Sequence, residues 1–236
     1  MNEQMNPSRV LSADMAAEIQ RAFVVKVFSW MMVGLMITGI VALFVLQSEA
    51  VLDVLFSNRI VFFGLMIGQI ALVIWLAARV AHMSAATATM VFLGYSALTG
   101  VTFAMVFLVY TASSIATTFF VSAATFGAMS AYGYLTQRDL TNWGSFLMMG
   151  LIGIIIASVV NIWLDNSTVY WITTYIGVLV FVGLTAYDTQ KIRQMSLATA
   201  EGGEVEQKAA IMGALKLYLD FINLFLLLLR IMGNRR

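Results

Sequence analysis

The chain has 236 residues, of which 61% are hydrophobic and only 11% charged, with a formal net charge of +1. A soluble domain carries about 25% charged residues, so a water-soluble fold of this size could not cover its surface, and lipid is the solvent for most of the chain. The charge balance gives no electrostatic footprint for nucleic acid, and the absence of cysteine excludes disulfides and thiol chemistry.

Residues 1–25 read as a cytoplasmic N-terminal tail. Pro7, the one proline, lies there, so no span carries a proline kink. The tail holds Glu3, Asp14 and Glu18 and lacks the short apolar core of a cleavable signal peptide. A crossing helix needs about 20 apolar residues, and residues 26–236 hold seven such runs, predicting spans near 27–47, 60–79, 86–109, 115–135, 144–164, 169–190 and 213–232. Gly64 and Gly68 form a GxxxG in the second span, a pattern expected to serve helix packing. Residues 80–137 contain no formal charge, only His82, which reads as a solvated loop residue. The polar cluster Tyr110, Thr111, Ala112, Ser113 and Ser114 divides that stretch into two spans. Asn166, Ser167 and Thr168 match a glycosylation acceptor, a pattern too short to be informative. Residues 191–212, with Glu201, Gly202, Gly203, Glu204 and Glu206, read as a flexible surface loop. The fold class is an all-α membrane protein, a seven-transmembrane-helix bundle with its last helix central.

Cations on the N-terminal side (Arg9, Arg21, Lys26, Arg79, Arg138, Lys191, Arg193, Lys208, Lys216) outnumber those opposite (Arg59, Arg230, Arg235, Arg236), nine to four. The positive-inside bias therefore predicts a cytoplasmic N-terminus. Seven full spans leave Arg235 and Arg236 outside, against that bias, whereas a re-entrant last helix keeps them inside. The length of the last run favours seven spans.

Ionisable residues within a membrane are costly, by about 2.5–3.5 kcal/mol at a helix centre on insertion scales. Two of the twelve acids, Asp188 and Asp220, fall inside apolar runs. Their positions predict similar depth toward the cytoplasm. Lys216, Asp220, Asn223 and Arg230 share a stripe of the seventh helix, and Thr185, Asp188 and Lys191 share a face of the sixth. The plain alternative is that each acid pairs with its own cation, Asp188 with Lys191 and Asp220 with Lys216. Arg79 closes the second helix on the same side and is a further candidate partner, or simply a positive-inside anchor. No P-loop, HExxH, GxSxG or Cys/His metal cluster is present, and no enzymatic activity or resident cofactor is expected. The GxGD pattern of intramembrane aspartyl proteases is absent too.

Gly183-Leu184-Thr185-Ala186-Tyr187-Asp188-Thr189-Gln190-Lys191 resembles the sixth-helix motif of the Bax inhibitor-1 family, also called transmembrane Bax inhibitor motif proteins. Leu217-Tyr218-Leu219-Asp220-Phe221-Ile222-Asn223-Leu224-Phe225, followed by Leu229-Arg230, resembles its seventh-helix motif, and Tyr95-Ser96-Ala97-Leu98-Thr99-Gly100 is also familial. The arrangement is similar to the bacterial inner-membrane branch over nearly the whole chain. The resemblance implies seven helices with the last surrounded by the other six. It also implies a pH-sensitive calcium leak sensed by two aspartates, whose motif positions are Asp188 and Asp220. The family's latch arginine falls near Ala77, with Arg79 two residues on. Cytoprotection belongs to eukaryotic relatives and is not carried over.

Two carboxylates in a poorly hydrated site cannot both ionise cheaply. One shared proton would join the sixth and seventh helices, and its loss would separate them or admit a cation. Calcium takes 6–8 oxygen ligands, so two aspartates, with Asn223 and carbonyls, imply weak and transient binding. The competing expectation is a regulatory protein without transport, whose partners are other membrane proteins such as a membrane-anchored AAA protease.

Overall fold

The computed structural model describes residues 7–199 and 202–236; residues 1–6 of the tail, Glu3 among them, and Glu201 lie outside the described residues. Eight α-helices form, with no strand element among the described residues: α1 (Pro7–Leu46), α2 (Glu49–Ser57), α3 (Arg59–Arg79), α4 (Ala85–Val109), α5 (Ala112–Leu135), α6 (Thr141–Leu164), α7 (Ser167–Ala198) and α8 (Gly203–Met232). All but α2 are long and apolar enough to cross a membrane. Helix α2, a nine-residue amphipathic helix between the first two spans, was not among the expected elements.

Short polar side chains define the turns. Ser84, Thr111 and Asn166 each cap the helix that follows, accepting backbone N–H groups at 3.1, 3.4 and 2.8 Å, which satisfies donors that have no partner inside the helix. Asn166 of the acceptor pattern is thus a helix cap. His82 is exposed in a 3-10 turn between α3 and α4. The predicted loop at 191–212 is largely helical: α7 continues to Ala198 and α8 begins at Gly203. Ala, Gln, Glu, Lys and Arg dominate this stretch and are strong helix formers once outside lipid. The chain reverses at Gly202 and Gly203, whose φ values of 76° and 72° suit residues without a Cβ. Helix α1 likewise starts at Pro7 and takes up most of the predicted tail.

The last helix is the axis of the bundle. Of its most apolar window 61% is buried, against 6% for the spans of α3 and α6. It packs mainly against α1, α4, α5 and α7, while α3 lies outside α4 and α6 outside α7. The ring of direct neighbours is therefore four helices, not six. Helix α8 also runs the full length of the bundle. Near one end the Glu204 carboxylate accepts from Ala85 N–H at 2.9 Å; at the other, Thr111 N–H donates to the Asn234 carbonyl at 3.1 Å. A re-entrant last helix does not form.

Two aromatic levels mark the apolar slab. Trp75, Tyr132 and Trp143 are exposed near the α7–α8 turn, and Trp163, Trp171 and Tyr175 are exposed toward the opposite end, here called the Tyr110 end. Between Trp143 and Trp163 α6 rises about 30 Å, the thickness of a bilayer's hydrocarbon core. Gly64 and Gly68 face open space, so the expected packing role fails: α3 turns its GxxxG away from the bundle. Close approach occurs elsewhere, at Gly133 against the Ala186 carbonyl and Gly144 against the Tyr187 ring.

Candidate functional site

Helices α7 and α8 run antiparallel. Gly177 lies against Leu227, and Ile192 against Gly213. Extending that register by whole turns brings Asp188 level with Lys216 and Asp220 level with Leu184, about one turn deeper. Helical side chains lean toward their own N-terminus. The α7 N-terminus is at the Tyr110 end and that of α8 at the other, so Asp188 leans inward and Asp220 leans outward along the axis. The register therefore sets the two carboxyls against each other on facing helices, with Lys216 on α8 level with Asp188.

The two acids differ in surroundings. Asp188 is half-buried, one residue after the Tyr187 that packs on Gly144, hence at the level of Trp143 and the edge of the slab. Asp220 is 5% exposed, and its Oδ2 is buried with no hydrogen-bond partner. Neither acid forms a salt bridge; the one ion pair among the described residues is Lys26–Glu206, at 2.9 Å between α1 and α8. No cluster of three or more His, Cys, Asp or Glu side chains forms among the described residues.

The structure thus brings together Asp188, Asp220 and Lys216 and leaves the other candidates apart. Arg79 is exposed at the end of α3, which packs on α4 rather than α7, and it makes no hydrogen bond or ion pair among the described residues. It makes no contact with either acid in this structure. Lys191 acts on Asp139 in the α5–α6 turn instead of on Asp188. Hydrogen bonds from the Thr141 side chain and backbone, and then the Lys191 charge, hold the Asp139 carboxyl below the usual carboxylate range. Thr185 is fully buried but donates to the Phe181 carbonyl of its own helix at 2.8 Å. Asn223 is half-buried and donates to the Leu219 carbonyl at 2.8 Å.

The expected inward polar stripe of α8 is therefore divided. Lys216 and Arg230 are exposed, and Arg230 stacks over the Tyr170 ring at 5.4 Å. Steps of seven residues keep Lys216, Asn223 and Arg230 nearly in line, whereas Asp220 is rotated by about 40° from Lys216 and turns into the bundle.

Residues that sequence patterning passed over hold the site in place. Gln190, 4% exposed, accepts from Leu140 N–H at 2.9 Å and donates to the Arg138 carbonyl at 2.8 Å, clamping the α5–α6 turn. Arg193 donates to the Tyr134 carbonyl and lies over the Tyr134 ring. On the far side of α8, the fully buried Tyr218 hydroxyl bonds Thr38 at 2.7 Å, and Thr38 donates to the Ser96 carbonyl at 2.9 Å. Phe92 and Tyr95 meet the Tyr218 ring edge-on at 5.9 and 6.0 Å. The one signal of this anchor in the sequence was that Tyr95-Ser96 and Tyr218 belong to familial motifs.

A seven-span helical bundle, wound around a central helix whose buried aspartate faces a second aspartate on its neighbour, defines a class of polytopic membrane protein. The family described as inhibitor of apoptosis-promoting Bax1 matches residues 20–236. The chain belongs to this Bax inhibitor-1 family. The inner membrane protein YbhL of Escherichia coli K12 is 54% identical over 218 residues, covering 92% of this chain and 93% of that protein. RP147 of Rickettsia prowazekii is 44% identical over 218 residues, with 92% and 91% covered. A protein of Borreliella burgdorferi is also 44% identical over 218 residues, with 92% and 94% covered.

Proposed function

We propose that this chain is a cation leak pathway, with calcium as the candidate cation, that opens when a proton shared by Asp188 and Asp220 is lost. The observation that supports the reading is the facing pair of carboxyls on α7 and α8, free of salt bridges, with one Asp220 oxygen buried and unpartnered. With one proton between them, the acids form a hydrogen bond that ties α7 to α8. Without it, two negative charges face each other in a poorly hydrated site and repel strongly. The helices then part, or a cation enters. Lys216 offers the carboxylates a tethered cation of their own, so an entering ion must compete with it. Two aspartates supply too few oxygens for the 6–8 that calcium takes. Water and carbonyls complete the shell, and binding is weak enough for release.

The sign follows from the proton. Flux is low at acid pH, where the pair is joined, and rises as pH rises through the coupled titration of the pair. Calcium flux into proteoliposomes containing only this protein, measured across a pH series for wild type and Asp220→Asn, tests the reading. A pH-dependent flux in wild type that Asp220→Asn flattens is expected. A well-folded wild-type protein that passes no cation at any pH overturns it.

A further inference from the structure

The acid pair lies near one edge of the slab, so most of the bilayer thickness separates it from the Tyr110 end. Helix α5 crosses that distance. Its buried face, packed on α7 and α8, carries the hydroxyls of Ser114, Thr118 and Ser122 on successive turns, then the Phe126 ring, then Ser130, about 24 Å along the axis from first to last. A serine or threonine inside a helix ordinarily donates to the carbonyl four residues back. Ser122 does so, to Thr118 at 2.7 Å. Thr118 and Ser130 do not. They are 0% and 5% exposed, and their hydroxyls have no hydrogen-bond partner.

Buried polar atoms are nearly always satisfied, and an exception calls for a water or an ion. Among the described residues three buried side-chain oxygens lack a partner: Thr118 Oγ1, Ser130 Oγ and Asp220 Oδ2. All three belong to helices that pack together, α5 and α8. Ser130 is one turn past Phe126, whose ring meets Phe221 beside Asp220 at 5.5 Å between centroids. Ser130 is therefore near the level of the acid pair. Ser114 is at the far end, where its hydroxyl accepts from Asn234 N–H at 3.0 Å. A cavity of about 110 Å³ lies on another side of α8, between α1, α4, α5 and α8. Phe103, Phe119, Phe221 and Phe225 line it, and its one hydroxyl, Thr38, is already committed to Tyr218 and to backbone carbonyls. That cavity offers a cation no ligand.

We infer that the seam between α5, α7 and α8 is a water-filled path joining Asp220 to the Tyr110 end of the bundle, with the hydroxyls of Thr118 and Ser130 as ligands for water and for a passing cation. That cations use the path rests on the leak reading above; that the seam is wet does not. In this conformation the Asn234 contact with Ser114 covers the far mouth.

The absence of native cysteine permits a direct test. Thr118→Cys, Ser130→Cys and, as a control, Ala104→Cys are treated with a small cationic methanethiosulfonate reagent in proteoliposomes. Ala104 is fully buried in an apolar cluster with Val45 and Leu55. The two seam thiols are expected to react and the control is not. Flux through Thr118→Val should fall roughly tenfold, the worth of one lost hydrogen bond to a charged ligand, and Thr118→Ser should restore it. Two unreactive seam thiols in folded protein that still conducts would overturn the path. Reactive thiols with undiminished flux in Thr118→Val would overturn the ligand role. Reactive thiols in a protein that passes no cation would sink the leak reading and leave the wet seam standing.

Discussion

Tyr218 and Asp220 lie two residues apart on α8 and so leave it on nearly opposite sides. Tyr218 fixes the helix to α1 and α4, while Asp220 faces the one neighbour it can repel. The anchor predicts an order of stabilities. Tyr218→Phe removes a donor and strands nothing, because the Thr38 hydroxyl still has carbonyls to donate to, and should cost about 1 kcal/mol. Thr38→Val leaves the Tyr218 hydroxyl buried without that acceptor and should cost more, about 1–3 kcal/mol. Thermal unfolding in detergent gives the comparison, and the reverse order would show that Thr38 is not what holds Tyr218. At the acid pair, Asn keeps a hydrogen-bond donor but has no titrating proton, so Asp188→Asn or Asp220→Asn should give low flux at every pH. Alanine at either position removes the contact as well and should leave a looser, pH-insensitive leak. A double Asp→Asn protein that folds and keeps the wild-type pH response would show that the sensor is elsewhere. The acids were legible in the sequence because a carboxylate in an apolar run stands out. Thr118 and Ser130 were not, because most helical hydroxyls bond their own backbone and only coordinates reveal those that do not.

Helix α7 is fastened along its whole inner half, and the fastening depends on glycines of its neighbours. A Cβ at Gly133 would collide with the Ala186 carbonyl oxygen, and one at Gly144 would collide with the Tyr187 ring. Both contacts fall within two residues of Asp188 on α7. Gly133→Ala meets backbone, which cannot rotate away, and should destabilise by about 1–3 kcal/mol or more. Gly144→Ala meets a side chain and should cost less. Gly64→Ala and Gly68→Ala meet nothing and should be neutral or stabilising by up to about 1 kcal/mol, the helix-propensity difference alone. Melting temperatures of the four variants decide the matter; a loss at Gly64 equal to that at Gly133 would mean that α3 packs where it shows open space. The GxxxG was misread because spacing identifies a small-residue face but not whether another helix covers it. Element boundaries at 191–212 were misread for a related reason. Polarity there signals exit from lipid, and residues with high helix propensity continue the helix into water.

Span number, order and the centrality of the last helix were legible because they follow from hydropathy and from one helix carrying the buried acid. The ring of four direct neighbours was not, since nothing in a hydrophobic run tells an inner helix from an outer one. Orientation rests on charge asymmetry. Arg79, Arg138, Lys191, Arg193 and Lys208 gather at the α7–α8 end, whereas Arg230, Arg235 and Arg236 occupy the Tyr110 end. Membranes retain cationic segments on the cytoplasmic side, so the α7–α8 end should be cytoplasmic and the acid pair should sense cytoplasmic pH. Single cysteines report this without interference from native thiols. Val205 is 61% exposed beside the α7–α8 turn, and Ser167 is exposed at the Tyr110 end. A membrane-impermeant thiol reagent added to intact cells should label Ser167→Cys, and should label Val205→Cys only after the membrane is opened. The opposite pattern would invert the bundle. The acid pair would then face the outer side, and a leak opened by proton loss would answer to the external medium instead of the cytoplasm.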